Sequence, residues 1–193
     1  MLFDLDGVLV DTYEAWYALV RATAKHFGAP AVTRPAFDAT WGQSVEDDTR
    51  LLVPGPTMEA VSAHYHAHFR DHVAAVAANP ESRRTLDALR ARGIATACVT
   101  NSPAPLVREI LAAAGLAGCL DTIVAAGDVP HPKPAPDMVL AACRRLAVRT
   151  ADSVLVGDSH FDEEAARAAE VRFVLFDVRR SPSLARAVDE VLG

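Results

Sequence analysis

Short apolar segments alternate with helical patterns from residue 80 onwards, and this alternation constrains the fold more than any other feature of the sequence. Each apolar segment has the length of a buried strand, and the helical patterns between them have the period of a helix packed on one face. Strands separated by helices form a parallel sheet that helices cover on both faces. The predicted strands are residues 1–5, 94–99, 122–125, 153–156 and 173–176, and the predicted helices of this part are residues 81–92, 103–114, 135–146, 162–169 and 183–192.

The region between the first strand and residue 80 breaks the alternation because its patterns are helical. Helices are predicted there over residues 11–27, 45–52 and 57–77. We therefore predict an α/β fold, a Rossmann-like parallel sheet core with an inserted α-helical cap domain. The predicted core is residues 1–11 and 80–193, and the predicted cap is residues 12–79.

Two residues bear on where the helices begin and end. Ser102 precedes Pro103 and is expected to cap the helix that follows. Glu170 stands where a Gly would allow a left-handed end to the helix over 162–169. Because that conformation costs a residue with a side chain about 1 kcal/mol, we expect this helix to end in another way.

Charge and cysteine content narrow the cellular context and the partners. The formal net charge is −6, which disfavours nucleic acid and acidic membranes as partners, since both bind basic surfaces. No signal-peptide pattern and no apolar run of about 18 residues is visible, so we expect a cytoplasmic protein with no membrane partner. Cys98, Cys119 and Cys143 are widely spaced in apolar surroundings and are expected to be buried free thiols.

Polar residues follow four of the five predicted strands. Because the carboxyl ends of parallel strands meet at one crevice, we expect these residues to lie together. They are Asp4 and Asp6 after the first strand, Thr100, Asn101 and Ser102 after the second, Lys133 after the third, and Asp158, Ser159 and Asp162 after the fourth. Several acids, a hydroxyl group and a lysine in one crevice suit a divalent metal ion and a phosphate group.

The charges suggest how such a site would work. A phosphate ester repels an anionic nucleophile, so a carboxylate attacks it only where nearby cations offset the repulsion. Mg²⁺ binds one or two carboxylates together with substrate phosphate, and Lys133 would add a second positive charge. Asp6 lies two residues after Asp4, close enough to protonate a leaving oxygen and later deprotonate water.

Four segments together resemble the motifs of the haloacid dehalogenase superfamily. They are residues 3–12 (FDLDGVLVDT), 99–102 (VTNS), 133–137 (KPAPD) and 156–159 (VGDS), the last followed by Asp162. The four occur in order and with suitable spacing, and the resemblance covers essentially the whole chain. Within the superfamily, the chain is most similar to the phosphoglycolate phosphatase and beta-phosphoglucomutase-like branch, whose members carry a helical cap.

The resemblance implies a role for each matching residue. Asp4 would become the aspartyl-phosphate and Asp6 would be the general acid and base. Mg²⁺ would be held by Asp4, the backbone carbonyl of Asp6, and Asp158. The remaining implied roles are phosphate binding by Thr100, Asn101 and Lys133, support of the metal ligands by Asp162 and Ser159, and substrate selection in the cap by Gln43 and Ser44.

The predicted function is a Mg²⁺-dependent phosphatase of a small phosphorylated metabolite, with phosphoglycolate as the leading substrate. Dehalogenases of the superfamily lack the second acid of the first motif, so Asp6 favours phosphoryl chemistry. A sugar-phosphate mutase is the first alternative, although Val45 stands where mutases carry an Arg that grips a second phosphate. A non-catalytic phospho-accepting or binding module is the second alternative, but it would need neither a cap nor the pair Asp4 and Asp6.

Overall fold

The computed structural model describes all residues from 1 to 193 and contains seven strands and nine α-helices. The strands are β1 (Leu2–Phe3), β2 (Val10–Asp11), β3 (Ala77–Ala78), β4 (Ala97–Pro103), β5 (Thr122–Ala126), β6 (Val154–Gly157) and β7 (Arg172–Leu175). The helices are α1 (Tyr13–His26), α2 (Arg34–Asp38), α3 (Val45–Leu51), α4 (Met58–His68), α5 (Ser82–Ala91), α6 (Ala104–Ala113), α7 (Asp137–Leu146), α8 (His160–Ala168) and α9 (Leu184–Leu192). Two 3₁₀ segments, Phe69–Ala75 and Thr150–Asp152, complete the regular structure.

Five strands form one parallel sheet in the order β5-β4-β1-β6-β7. Strand β1 lies at its centre, where Leu2 pairs with Ala97 on one side and with Leu155 on the other. Successive residues of a strand point to opposite faces, so Leu2 and Phe3 belong to two different apolar clusters. The sheet with helices on both faces confirms the predicted α/β class.

The two faces of the sheet are covered by different helices. Apolar residues of α5, α6 and α9 join Phe3 in the larger cluster, for example Leu86, Ile110 and Val188. Helices α7 and α8 cover the face that carries Leu2. Because strand β1 is covered on both faces, Asp4 directly after it begins in a buried environment.

The residues between β2 and β3 are helical, as the sequence predicts. The chain enters and leaves this region side by side, because β2 and β3 pair as a small antiparallel sheet that the sequence did not predict. Inside the region, the Trp16 ring packs 5.7 Å from the Tyr65 ring and 5.4 Å from the Phe69 ring, centroid to centroid. The assignment of residues 12–79 to a separate cap domain stays a prediction, and we use the word cap for this segment below.

Several local predictions need correction. The predicted helix over 57–77 ends at His68, and the chain continues as a 3₁₀ segment. Helix α2 was not predicted, and β4 begins three residues later than expected. Glu170 does adopt the left-handed conformation, with a φ of 55°. The Val171 N–H then donates to the Ala166 carbonyl at 2.9 Å, and burial of the Val171 side chain offsets the strain.

Two further sequence expectations can be compared with the structure. All three cysteines are buried and free, as predicted. None of the helices combines the length and the continuous apolar character that a bilayer crossing requires.

Candidate active site

Lys133 lies at the centre of the polar cluster where the strands end. Its Nζ donates to Asp162 Oδ1 at 2.6 Å and to the Val99 carbonyl at 2.9 Å, and it lies 2.9 Å from Asp4 Oδ1. The side chain is only 1% exposed, so the ammonium group has these three acceptors in place of water. Burial lowers the pKa of Lys133, but the two carboxylates outweigh it and the pKa is raised overall, which keeps the ammonium charged.

The two oxygens of the Asp4 carboxylate have different surroundings. Oδ1 accepts the Leu5 N–H at 2.8 Å and faces Lys133, whereas no protein group donates to Oδ2. Asp4 lines a cavity between the sheet end and the cap. Burial, followed by the charge of Asp162, raises its pKa well above the ordinary value, and Lys133 only partly offsets this. A cation placed beside Asp4 would therefore stabilise the ionised form that a nucleophile requires.

Asp158, which is half-buried, supplies a second carboxylate with one free oxygen. Oδ2 accepts the Trp41 indole N–H at 2.6 Å, while Oδ1 is buried without any hydrogen-bond partner. Burial raises the pKa of Asp158 to about 7. Gly7 allows this carboxylate its position, because a Cβ at residue 7 would lie 1.8 Å from Oδ2. A buried carboxylate oxygen without a donor is the observation that most favours a bound cation here.

Asp162 lies close to Asp4 and Asp158, but both of its carboxylate oxygens already accept hydrogen bonds. Carboxylate oxygens of Asp4, Asp158 and Asp162 all lie within 4.8 Å of one another. Asp162 Oδ1 accepts from Lys133, and its Oδ2 accepts from the backbone N–H and the hydroxyl of Ser159 at 3.2 and 2.6 Å. The donor set therefore fits a hard divalent cation held by Asp4 and Asp158, with Asp162 and Ser159 behind them.

Asp6 is held by four donors from two parts of the chain. Its Oδ1 accepts the Thr12 hydroxyl at 2.5 Å and the Trp16 indole N–H at 2.9 Å. Its Oδ2 accepts the Ser102 hydroxyl at 2.6 Å and the Thr100 hydroxyl at 3.4 Å. The first pair belongs to the entrance of the cap and the second to the end of β4, so the position of Asp6 depends on both. Ser102 thus binds Asp6, and the expectation that it caps the next helix was wrong, since Pro103 occupies that place.

Asn101 connects three segments through its side chain. Its Nδ2 donates to the carbonyls of Gly42 and Lys133 at 3.0 and 2.9 Å, and its Oδ1 accepts the Lys133 N–H at 2.9 Å. Both amide hydrogens are thereby used, so a contact between this side chain and phosphate would require one of these bonds to break. The phosphate contact of Asn101 stays a prediction, and the side chain in this structure positions Lys133. Thr100 lines the cavity and its hydroxyl is only weakly bound to Asp6.

The cap closes over the site through residues 40–43 and α3. Gly42 adopts a φ of +88°, and a Cβ there would lie 2.9 Å from the Ser159 hydroxyl oxygen. Gln43 lines the cavity and donates from Nε2 to Asp48 Oδ1 at 2.7 Å. Ser44, the other residue predicted to select substrate, does not line the cavity. Its hydroxyl caps α3 by accepting the Asp47 N–H at 3.2 Å.

Sequence reasoning missed three residues that contact the acids. Trp16 lies in the predicted helix over 11–27 without an assigned role, and Trp41 belongs to none of the four motifs. Ser102 was in the predicted cluster but was given the role of a cap. The bond between Trp41 and Asp158 joins residues 117 positions apart, so no local pattern could have indicated it.

Comparisons with known proteins agree with this geometry. A family model described as haloacid dehalogenase-like hydrolase matches residues 1–176. The chain belongs to this family. A phosphoglycolate phosphatase of Cupriavidus necator is 34% identical to it over 89% of this chain and 77% of its own length. The pyrophosphatase PpaX of Bacillus velezensis is 29% identical over 88% of this chain and 78% of its own length.

Solved structures share the fold of this chain. A hydrolase from Pseudomonas syringae superposes with a TM-score of 0.84 and 21% identity, over 99% of this chain and 95% of that one. Family membership confirms the predicted superfamily and the prediction that the chain is a hydrolase. The roles of individual residues stay predictions.

Proposed function

We propose that the chain is a Mg²⁺-dependent phosphatase that hydrolyses a small phosphomonoester through a phosphorylated Asp4. One observation carries the proposal. Asp4 lines the cavity, its Oδ1 is fixed by Lys133 and the Leu5 N–H, and its Oδ2 has no donor, which is the arrangement that a carboxylate nucleophile needs.

Mg²⁺ would be held by the carboxylates of Asp4 and Asp158 together with the backbone carbonyl of Asp6. When bound, it would supply positive charge against the phosphate and orient it. The free Oδ1 of Asp158 supports this assignment. An excess of negative charge also supports it, because Lys133 is the one cation in a cluster that contains Asp4, Asp6, Asp158 and Asp162. Thr100 and Lys133 would bind phosphate oxygens, with Asn101 holding the Lys133 loop in place.

The reaction would proceed in two displacements. In the first, Asp4 Oδ2 forms a bond to phosphorus, the ester P–O bond breaks, and Asp6 gives its proton to the departing alcohol oxygen. In the second, Asp6 takes a proton from water, whose oxygen attacks phosphorus and releases inorganic phosphate and free Asp4. The cap contacts of Asp6, through Thr12 and Trp16, link its position to closure over the substrate.

Hydrolysis is favoured over phosphate transfer within a bisphosphate. The fifteen residues that line the cavity include no Lys, Arg or His, so no cation among them would hold a second phosphate. This supports the sequence argument from Val45 against a mutase. Phosphoglycolate is one candidate substrate, because the sequence prediction and the name of the Cupriavidus necator relative share it.

Phosphate release from a set of small phosphomonoesters tests the proposal. We expect turnover with Mg²⁺, loss of turnover in EDTA, and recovery when Mg²⁺ is restored. Asp4→Asn should abolish turnover, whereas Asp152→Asn makes the same change at an exposed acid paired with Arg149 and should leave it unchanged. Wild-type turnover by the Asp4 variant would refute the assignment, and an absence of Mg²⁺-dependent turnover on every ester would favour a non-catalytic module.

A further inference from the structure

The cavity between sheet and cap has an unusual charge composition for a site that binds an anionic ester. Its space is about 510 Å³ including the open mouth, and three of its fifteen lining residues are acids. Asp4 and Asp6 belong to the phosphate end. The third acid, Asp48, lies on α3 in the cap, where the alcohol portion of a substrate would be.

Asp48 has hydrogen-bond donors but no positive partner. Gln43 Nε2 donates to its Oδ1 at 2.7 Å and the Tyr65 hydroxyl to its Oδ2 at 3.0 Å. The ion pair of this helix instead joins the neighbouring Asp47 to Arg50, which is exposed. A negative charge on Asp48 is therefore not neutralised from within the protein.

Arg34 and Arg179 have partners of their own, although Arg179 also lies 5.8 Å from the centroid of the Trp41 ring, which lines the cavity. Arg34 is paired with Glu14 at 2.7 Å. Arg179 lies 4.3 Å from the centroid of the Tyr13 ring and 3.4 Å from the Asp177 carboxylate. Neither residue lines the cavity, so no arginine is in place to receive an anionic group on the substrate.

The apolar part of the wall is aromatic and aliphatic. It consists of Trp16, Phe37 and Trp41 together with two valines, Val20 and Val45, and the other seven lining residues are uncharged. The faces of aromatic rings carry partial negative charge, so they attract cations and do not stabilise the charge of a carboxylate. They also pack well against apolar groups. A substrate carboxylate enclosed here would lose its water and meet Asp48 without a balancing cation.

From this composition we propose that the enzyme selects phosphomonoesters whose alcohol portion carries no negative charge, and that Asp48 and the aromatic wall exclude carboxylates such as that of phosphoglycolate. The inference rests on the phosphatase function proposed above and names the class of its substrate. The lining of the cavity suits both neutral alcohols and alcohols that bear an ammonium group. A hydroxyl group can form a hydrogen bond with Gln43 or Asp48, and an ammonium group would be attracted by the charge of Asp48.

Three esters of equal carbon number isolate the charge of the alcohol portion. They are 2-hydroxyethyl phosphate, which is neutral there, O-phosphoethanolamine, which is cationic, and phosphoglycolate, which is anionic. We expect kcat/KM for each of the first two to exceed that for phosphoglycolate by about tenfold or more, the factor that corresponds to roughly 1.4 kcal/mol. Phosphoglycolate turned over as well as or better than either of the others overturns the inference.

A cation placed in the wall provides the converse test. Val45→Lys adds a positive charge to a lining residue that has no part in the chemistry, and Val45→Met adds a side chain of similar reach without charge. We expect the lysine variant to raise kcat/KM for phosphoglycolate relative to 2-hydroxyethyl phosphate by about tenfold, and the methionine variant to leave the ratio near that of the wild type. An unchanged ratio in the lysine variant, with wild-type thermal stability, contradicts the inference.

The outcomes separate this inference from the proposed function. If no ester is hydrolysed in an Asp4-dependent manner, the phosphatase function itself fails. If phosphoglycolate is hydrolysed best and the Asp4→Asn variant is inactive, the phosphatase function stands and only the proposed selection against carboxylates is wrong.

Discussion

Replacement of Lys133 by Met should destabilise the protein strongly in the absence of metal. The change keeps a chain of similar length and removes the one cation in contact with Asp4 and Asp162, each of which is at most 5% exposed. Loss of one partner from a buried ion pair costs about 3–5 kcal/mol because the other charge stays buried. We expect the lower end, since the pKa of Asp4 is already raised and this acid can bind a proton instead.

A loss of about 3 kcal/mol in a chain of this size lowers the melting temperature by roughly 6–12 °C. The measurement is urea and thermal unfolding followed by circular dichroism at pH 7.5 with EDTA present. The raised pKa of Lys133 means that its stabilisation is complete below the ordinary lysine pKa and is lost only at higher pH, so this pH reports it in full. The control Lys25→Met makes the same change at an exposed position. If both variants lose less than about 1 kcal/mol, the ion pairs contribute little and the reasoning is wrong.

Three further substitutions test contacts of the cap, two of them between cap and core and the third within the cap. Trp41→Phe keeps the ring and removes the donor to Asp158, so urea unfolding should show a loss of about 1.5 kcal/mol, the lower range for a hydrogen bond to a charged group. Gly42→Ala places a Cβ 2.9 Å from the Ser159 hydroxyl oxygen at a positive φ, and we expect lower kcat/KM with little change in secondary structure by circular dichroism. Burial raises the pKa of Asp48 to about 6, so the folded state binds its proton more tightly and stability should fall as the pH rises from about 4 to 6. Asp48→Asn should flatten that part of the curve of unfolding free energy against pH, and an unchanged slope would contradict the assignment.

The core of the fold could be predicted because its signals are local and repeated. Strand β6, for example, is a short continuous apolar run, and helix α8 carries an apolar pattern of helical period. Most strand and helix bounds differ from the predicted ones by no more than two or three residues. Strands β2 and β3 could not be predicted, since two residues each are too few to establish a period. The change from α to 3₁₀ geometry at Phe69 also has no Gly or Pro to mark it.

The sequence predicts which residues form the site better than it predicts the contacts between them. Asp4, Lys133 and Asp162 were expected to meet because parallel strands end at one edge, and the structure brings them within ion-pair distance. The bonds of Asn101 and of Trp41 depend on how the cap sits on the core, and sequence spacing does not encode that. The same limit explains why the chemistry of the cavity wall, including Asp48, emerged only from the fold.

The proposal that Asp4 is the nucleophile is tested most directly by trapping its phosphorylated form. The enzyme is mixed with Mg²⁺ and a good ester substrate and quenched in acid during turnover. It is then digested, and the masses of its peptides are measured by mass spectrometry. We expect the mass of one phosphoryl group on the peptide that contains Asp4, sensitive to hydroxylamine and lost in Asp4→Asn. Steady turnover with no phosphorylated peptide, or a phosphoryl group on any other residue, would contradict the proposed mechanism.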